Sequence, residues 1–266
     1  MSNDYLTPVL TGETLLRANP VSKLFAAIVI TLALLVSIDW VSATVVLACE
    51  LLLMPLLGIS VWGLARRIWP LLVAAVLGAY GTALLAEKTG AVLLDVGPFL
   101  FTEGSVTAGI AVGLRALALS LPGIFLLLTT DPTDLADALA QKLHLPHRVV
   151  LAALASLRLV GLLVEQWETL GQARHARGIG SGGSAAARVR NLLGQSFGLI
   201  VQAIRRATRL ATAMEARGFG GGARTWARLS TYSPLDAGVA VVGLLIAAGA
   251  TTAAVLAGTW NFILTA

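Results

Sequence analysis

The residues of this chain with an evident chemical use are few, and foremost among them are two arginines set in matching phrases. ARHARGIGSG occupies 173–182 and AMEARGFGGG occupies 213–222. At an offset of 40 residues, Ala173/Ala213, Ala176/Ala216, Arg177/Arg217, Gly178/Gly218, Gly180/Gly220 and Gly182/Gly222 coincide. A guanidinium is a planar fork of donors that matches a carboxylate. Glycine just beyond it can take the left-handed backbone that closes a helix, and a cation there faces the negative end of the helix dipole. One such ending is an ordinary C-cap. Two of them, with the small alanine face and the trailing glycines also repeated, predict two equivalent helix tips. Each tip would enter a receptor that offers a carboxylate and a narrow groove, so one chain with two tips predicts two similar partner subunits.

Other chemistry fares less well. Asp131, Asp134 and Asp137 resemble the paired aspartates by which membrane phosphatidyltransferases hold a divalent metal. Those enzymes need a second aspartate pair and an Ala-Arg after the first; here Ala138-Leu139 follows and no second pair exists. A helix N-terminus accounts for the aspartates equally well. His144 and His147 flank Pro146, which spoils a regular helical pair, and no further ligands accompany them. His175 stands opposite Glu215 in the repeat and reads as solvated. No Ser/His/Asp set is present, and GIGSGG lacks the Gly-Lys-Ser/Thr ending of a phosphate-cradling loop. The lone Cys49 permits no internal disulfide. The expectation is a non-catalytic chain without metal or cofactor of its own.

The elements that must carry the tips follow from composition. The chain is 57% hydrophobic and only 12% charged, with a mean hydropathy of +0.84, against about 25% charged residues in a soluble domain. Its apolar residues fall in long blocks without the alternation of a β-barrel, which predicts an all-α integral membrane protein. Spans are expected at 24–38, 41–59, 70–86, 104–130 (interrupted by Arg115 and Pro122) and 235–258, five in all. Residues 1–23 make a poor cleavable signal peptide, and 87–103 reads as a loop. Arg66-Arg67, between Trp62 and Trp69, fits a membrane interface. Asp39 is expected in an interfacial loop, while Glu50 and Arg115 lie at membrane depth, where an ionisable group is a functional question.

Charge orients the chain. Residues 142–228 hold thirteen Lys/Arg against three Asp/Glu, and the rest of the chain holds six against eleven. Positive charge stays cytoplasmic, which places 131–233 and the N-terminus inside and the C-terminus outside. The domains are then a cytoplasmic segment 1–23, four spans within 24–130, a cytoplasmic region 131–233, and a fifth span with the C-terminus at 234–266. The basic excess satisfies that rule, so no nucleic-acid partner is expected.

Within 131–233, Asp131 and Pro132 predict a helix start, with Leu135, Ala138, Leu139 and Leu143 on one face. LHLPHR breaks that helix. Two long helices follow, at 148–178 and 186–218, joined by GIGSGGS (178–184), and both end on Arg-Gly. The first is apolar early and polar late. The region is thus one short and two long helices.

Taken together, ARG at 176–178 and 216–218, the flanking AMEARGFGGGART and RLVGLLVEQWETLGQARHARG, TTDPTDLADALAQKLHLPHRVV and RANPVSKL resemble the transmembrane T component of energy-coupling-factor transporters. That group includes the permease subunits of cobalt uptake systems. The similarity runs from residue 17 to about 230. The family usually shows Asp before the proline where this chain has Asn19, and the first tip's Ile179 departs from Phe219 of the second. The resemblance implies a coupling scaffold in a bacterial or archaeal cell membrane. Two ABC-type ATPase subunits, which bind the ATP, would dock on Ala176, Arg177 and Gly178 and on Ala216, Arg217, Gly218 and Phe219. A separate S component would capture a vitamin or metal ion. Gly109 with Gly113, and Gly78 with Gly81, form small-residue faces that suit either packing among the protein's own spans or S-component docking. The main rival is an ordinary ABC-importer permease lining the solute path, which would carry a single coupling helix rather than a doubled one.

Overall fold

The structure, a computed structural model, describes residues 18–37, 39–56, 58, 60–96, 99–179, 184–219, 226 and 228–260. Gly97 and Pro98, the link residues 180–183, and Gly220 and Gly222 of the repeat lie outside them. In chain order the elements are α1 (Pro20–Val36), α2 (Trp40–Leu56), α3 (Val61–Arg67), α4 (Trp69–Leu85), β1 (Val92–Val96), β2 (Phe99–Thr102), α5 (Glu103–Thr129), α6 (Pro132–Lys142), α7 (His147–Ala176), α8 (Ala185–Ala216) and α9 (Pro234–Leu256). They form two compact units, one of Met1–Ala138 with Ser230–Ala266 and the other of Leu139–Leu229.

In the first unit α1 packs on α9 and α5, α2 packs on α5 and α9, and α4 runs along α5. The shared interior joins Ile30 and Leu34 of α1, Ala43 and Val46 of α2, Ala118 of α5, and Ile246 and Ala250 of α9. Lipid is as apolar as leucine, so these contacts gain little from leaving the bilayer and depend on close approach. Small residues provide it. A Cβ on Gly243 would lie 2.6 Å from Ala26 Cβ, and one on Gly109 would lie 2.5 Å from the Ala79 carbonyl oxygen.

By length and composition α5, α7 and α9 are long and apolar enough to cross a membrane. The pair α3 and α4, bent by 74°, passes the same test jointly. The apolar helices α1 and α2 have 17 residues each, or about 26 Å against a hydrocarbon core of about 30 Å. The expected spans thus correspond to α1, α2, α4, α5 and α9. The helix expected to finish in water, α7, joins the apolar set because its first half, from Val149 to Val164, is nearly free of polar side chains.

Several local expectations are corrected. The stretch 87–103 is not all loop: β1 and β2 pair antiparallel, Val92 opposite Thr102 and Val96 opposite Phe99. Short β-branched and aromatic runs on either side of Gly-Pro favour that hairpin over open chain. Thr102 then ends the strand and caps α5, in a capping box with Ser105. Arg115 and Pro122 do not interrupt α5, which continues to Thr129 with Pro122 buried inside it. Asp39 is a buried helix cap rather than an open loop residue. Its carboxylate accepts from the backbone N–H of Ser42 at 2.6 Å and from the hydroxyls of Ser42 and Ser37. Arg66 and Arg67 close a separate short helix, α3, where the Arg66 guanidinium lies 5.2 Å from the Trp62 ring centre. Asp131 accepts from Thr133 N–H at 2.7 Å, as a helix start requires, but Leu143 lies beyond the end of α6 and is half-exposed.

One end of this unit is pinned by a polar knot. Asn19 caps α1 through its side-chain oxygen, which accepts from Val21 N–H at 3.0 Å. Its side-chain nitrogen donates to Ser230 Oγ at 2.8 Å and to the Thr231 carbonyl at 3.2 Å. Its own backbone N–H donates to Asp236 Oδ1, and Asp236 Oδ2 accepts from Ser233 N–H to complete the capping box of α9. Lys23 Nζ donates to the Thr129 carbonyl at 2.7 Å, tying the end of α5 to the same place.

Candidate functional site

The two Arg-Gly phrases fold into the same local structure. Arg177 has φ −86° and ψ 9°, and Arg217 has φ −88° and ψ 8°. Gly178 and Gly218 follow at φ +74° and +71°, the left-handed region where a Cβ is penalised. At the first tip Gly178 N–H donates to the His175 carbonyl at 2.9 Å and Ile179 N–H to the Arg174 carbonyl at 3.0 Å. At the second, Gly218 N–H donates to the Glu215 carbonyl at 2.9 Å and Phe219 N–H to the Met214 carbonyl at 3.0 Å. Each is a complete Schellman closure, with the last carbonyls satisfied and the chain reversed in two residues. Ala176, Arg177 and Gly178 are exposed, as are Ala216, Arg217 and Gly218; Phe219 is partly covered. A Cβ at Gly178 or Gly218 would meet nothing within 4 Å. Both tips therefore present a guanidinium beside bare, exposed backbone.

The helices that carry the tips are locked together by residues that the sequence reading passed over. At the crossing of α7 and α8, a Cβ on Gly171 would lie 3.1 Å from Gln195 Nε2, and one on Gly194 would lie 2.9 Å from an Arg174 nitrogen. Gln195, buried in the first half of α8, donates to the Trp167 carbonyl at 2.7 Å, and Arg174 Nε donates to Asn191 Oδ1 at 3.0 Å. The available signal was Gly194-xxx-Gly198 inside an otherwise helical run, the small-residue spacing applied to the spans but not to these helices. From Gly171 to Arg177 is roughly 9 Å of helix, whereas from Gln195 to Arg217 is roughly 33 Å.

The other face of α8 is apolar and uncovered. Val189, Leu193, Phe197, Ile200 and Ile204 are all more than half exposed. At about 100° per residue they fall on the side opposite Gly194, Gln195 and Gly198. Leu157 and Val160 of α7 are exposed as well.

The small-residue faces divide. Gly109 and Gly113 are buried in α5 against Ala75, Ala79 and Ala83 of α4, so their closeness serves packing within the unit. Gly78 and Gly81 have nothing within 4 Å of a would-be Cβ and face away from the neighbouring helices. Glu50 is 2% exposed, and neither carboxyl oxygen has a hydrogen-bond partner among the described residues. Among these residues no group of three or more His, Cys, Asp and Glu side chains stands close enough to hold a metal.

Nearly all-helical and apolar, with several helices long enough to cross a membrane, the described residues are those of a multi-span membrane protein whose two long helices α7 and α8 end in matched, exposed caps. The family described as "CbiQ: Cobalt transport protein" matches residues 12–226, and the chain belongs to that family. It is 34% identical over 195 residues to the energy-coupling factor transporter transmembrane protein EcfT of Bacillus subtilis (strain 168), covering 70% of this chain and 72% of that protein. The EcfT of Brevibacillus brevis is 31% identical over 245 residues, covering 88% of this chain and 92% of the relative. That of Exiguobacterium sibiricum is 37% identical over 175 residues, covering 62% and 66%.

Proposed function

We propose that this chain couples ATP-driven motion of two ABC-type ATPase subunits to a membrane-embedded S component that carries the solute inward, a vitamin or a metal ion. The observation that carries this reading is the identity of the two caps in backbone angles, hydrogen bonding and exposure. Arg177 and Arg217 each pair with a carboxylate in a groove of one ATPase, Ala176 and Ala216 allow the helix end to enter, and Gly178 and Gly218 turn the chain out again. Phe219 fills a larger pocket than Ile179. The chain hydrolyses nothing; the ATPases bind ATP, and the crossed helices α7 and α8 carry their motion.

The S component rests on the uncovered apolar face of α8 and α7. A stripe that leaves Leu193, Phe197 and Ile204 exposed needs either lipid or a partner, and the basic residues around it keep this region at the cytoplasmic side.

The test is co-purification in detergent with ABC-type ATPase subunits from the same genome. Losing a buried charge-assisted contact costs about 2–5 kcal/mol. Arg177→Ala and Arg217→Ala should therefore each weaken ATPase binding about thirtyfold or more. The double variant should come free of ATPases while remaining monodisperse. Full retention of ATPases by a monodisperse double variant would remove the arginines as anchors.

A further inference from the structure

The first unit encloses a cavity that the docking of ATPases does not use. About 480 Å³ in volume, it lies among α1, α2, α5 and α9. Its walls are apolar, including Ile30, Phe125, Leu126, Val239 and Ile246. Leu235 and Val242 of α9 also line it and are 47% and 40% exposed, so the space is open to the outside of the unit there. Glu50 of α2 lines this space with a side chain that is 98% buried, and neither of its oxygens has a partner among the described residues. Lys23, which shares the lining, donates to the Thr129 carbonyl at 2.7 Å.

An acidic group in hydrocarbon surroundings is expensive unless something pairs with it. A helix bundle gains nothing in stability from one lone carboxyl that no side chain meets, whereas a binding site gains orientation and selectivity from it. The volume falls in the range of small-molecule sites, about 300–1,000 Å³. The occupant must be mostly apolar to match the walls, must reach the opening through the bilayer, and must end in a donor for Glu50. We propose that this cavity is a binding site for a lipophilic amine, a membrane-partitioned apolar molecule whose single ammonium pairs with the Glu50 carboxylate. Such a ligand would join α2 to α5 and α9 and stiffen the bundle. The proposal does not depend on the docking reading.

The probe is dansylcadaverine, an apolar fluorophore on a short alkyl chain ending in one primary amine, titrated by fluorescence onto the purified chain in nanodiscs of zwitterionic lipid. Its N-acetyl derivative is the neutral control. Wild type should bind the amine saturably, and Glu50→Gln should weaken binding about tenfold or more as a charge-assisted bond becomes a neutral one. The acetylated probe should bind weakly and be indifferent to that change. Gly238→Leu is the second variant. Gly238 lines the cavity and a Cβ there meets nothing within 4 Å, so a leucine starts without a clash and is expected to extend into the space. It should abolish saturable binding while the thermal midpoint stays at or above that of wild type. Non-saturable signal, equal in all three proteins, would overturn the site. Equal affinity for amine and acetylated probes, insensitive to Glu50→Gln, would overturn the amine and leave a cavity for neutral acyl chains.

Discussion

At the scale of single residues, Asn19 shows what an amide can do where a carboxylate cannot. Aspartate caps a helix as well as asparagine does. In this chain, however, the side-chain nitrogen donates to Ser230 and Thr231, and Asp236 accepts from the same residue's backbone. Asparagine here supplies donors that a second carboxylate beside Asp236 cannot. Asn19→Asp gains about 0.3–1 kcal/mol from the helix dipole but loses two part-buried hydrogen bonds of about 0.5–1.5 kcal/mol each and sets a second carboxylate beside Asp236. The loss wins, so the variant should melt several degrees lower in a detergent thermal-shift assay; an unchanged midpoint would show the knot to be inessential. The tips invite a different substitution. Gly218→Ala removes no contact, since a Cβ there meets nothing, but φ +71° makes it cost about 1–2 kcal/mol. The expected outcome is weaker capture of one ATPase with no change in the midpoint of the spans, read by combining co-purification with thermal shift. Preserved capture would mean that the turn after Arg217 can open without consequence.

At the scale of elements, closeness of backbones decides what each helix does. Gly109→Ala would put a methyl 2.5 Å from the Ala79 carbonyl oxygen, so α4 must move away from α5, and the thermal midpoint should fall clearly. Gly78→Ala meets open space and should leave the midpoint within a degree or two of wild type. If the two variants behave alike, the helix contact is softer than its geometry indicates. The sequence recorded both glycine pairs with equal emphasis, because spacing of small residues shows that two backbones can approach, not which two. The helices themselves were legible, since apolar block length and the cap at Asp131 are local properties. So were the two tips, whose closure needs only Arg, Gly and the five preceding residues. The β-hairpin at 92–102 and the cap at Asp39 were not, because both depend on where the chain turns in space. The crossing at Gln195 was missed for a similar reason: a polar residue in an amphipathic helix reads as solvated until a partner helix buries it.

At the scale of the whole molecule, the charge distribution makes a claim about sidedness that can be checked on intact cells. In a Cys49→Ser background, a cysteine in place of exposed Leu93 on β1 should react with a membrane-impermeant maleimide. One in place of Glu168 on α7 should react only after permeabilisation. The reverse pattern would invert the topology. The crossing of α7 and α8 carries the last consequence. Its contact at Gly171 and Gln195 lies roughly 9 Å of helix from Arg177 and roughly 33 Å from Arg217. In the proposed coupling, a tilt of the helices about that contact would displace the Arg217 tip nearly four times as far as the Arg177 tip. Two caps built alike would then be unequal in reach.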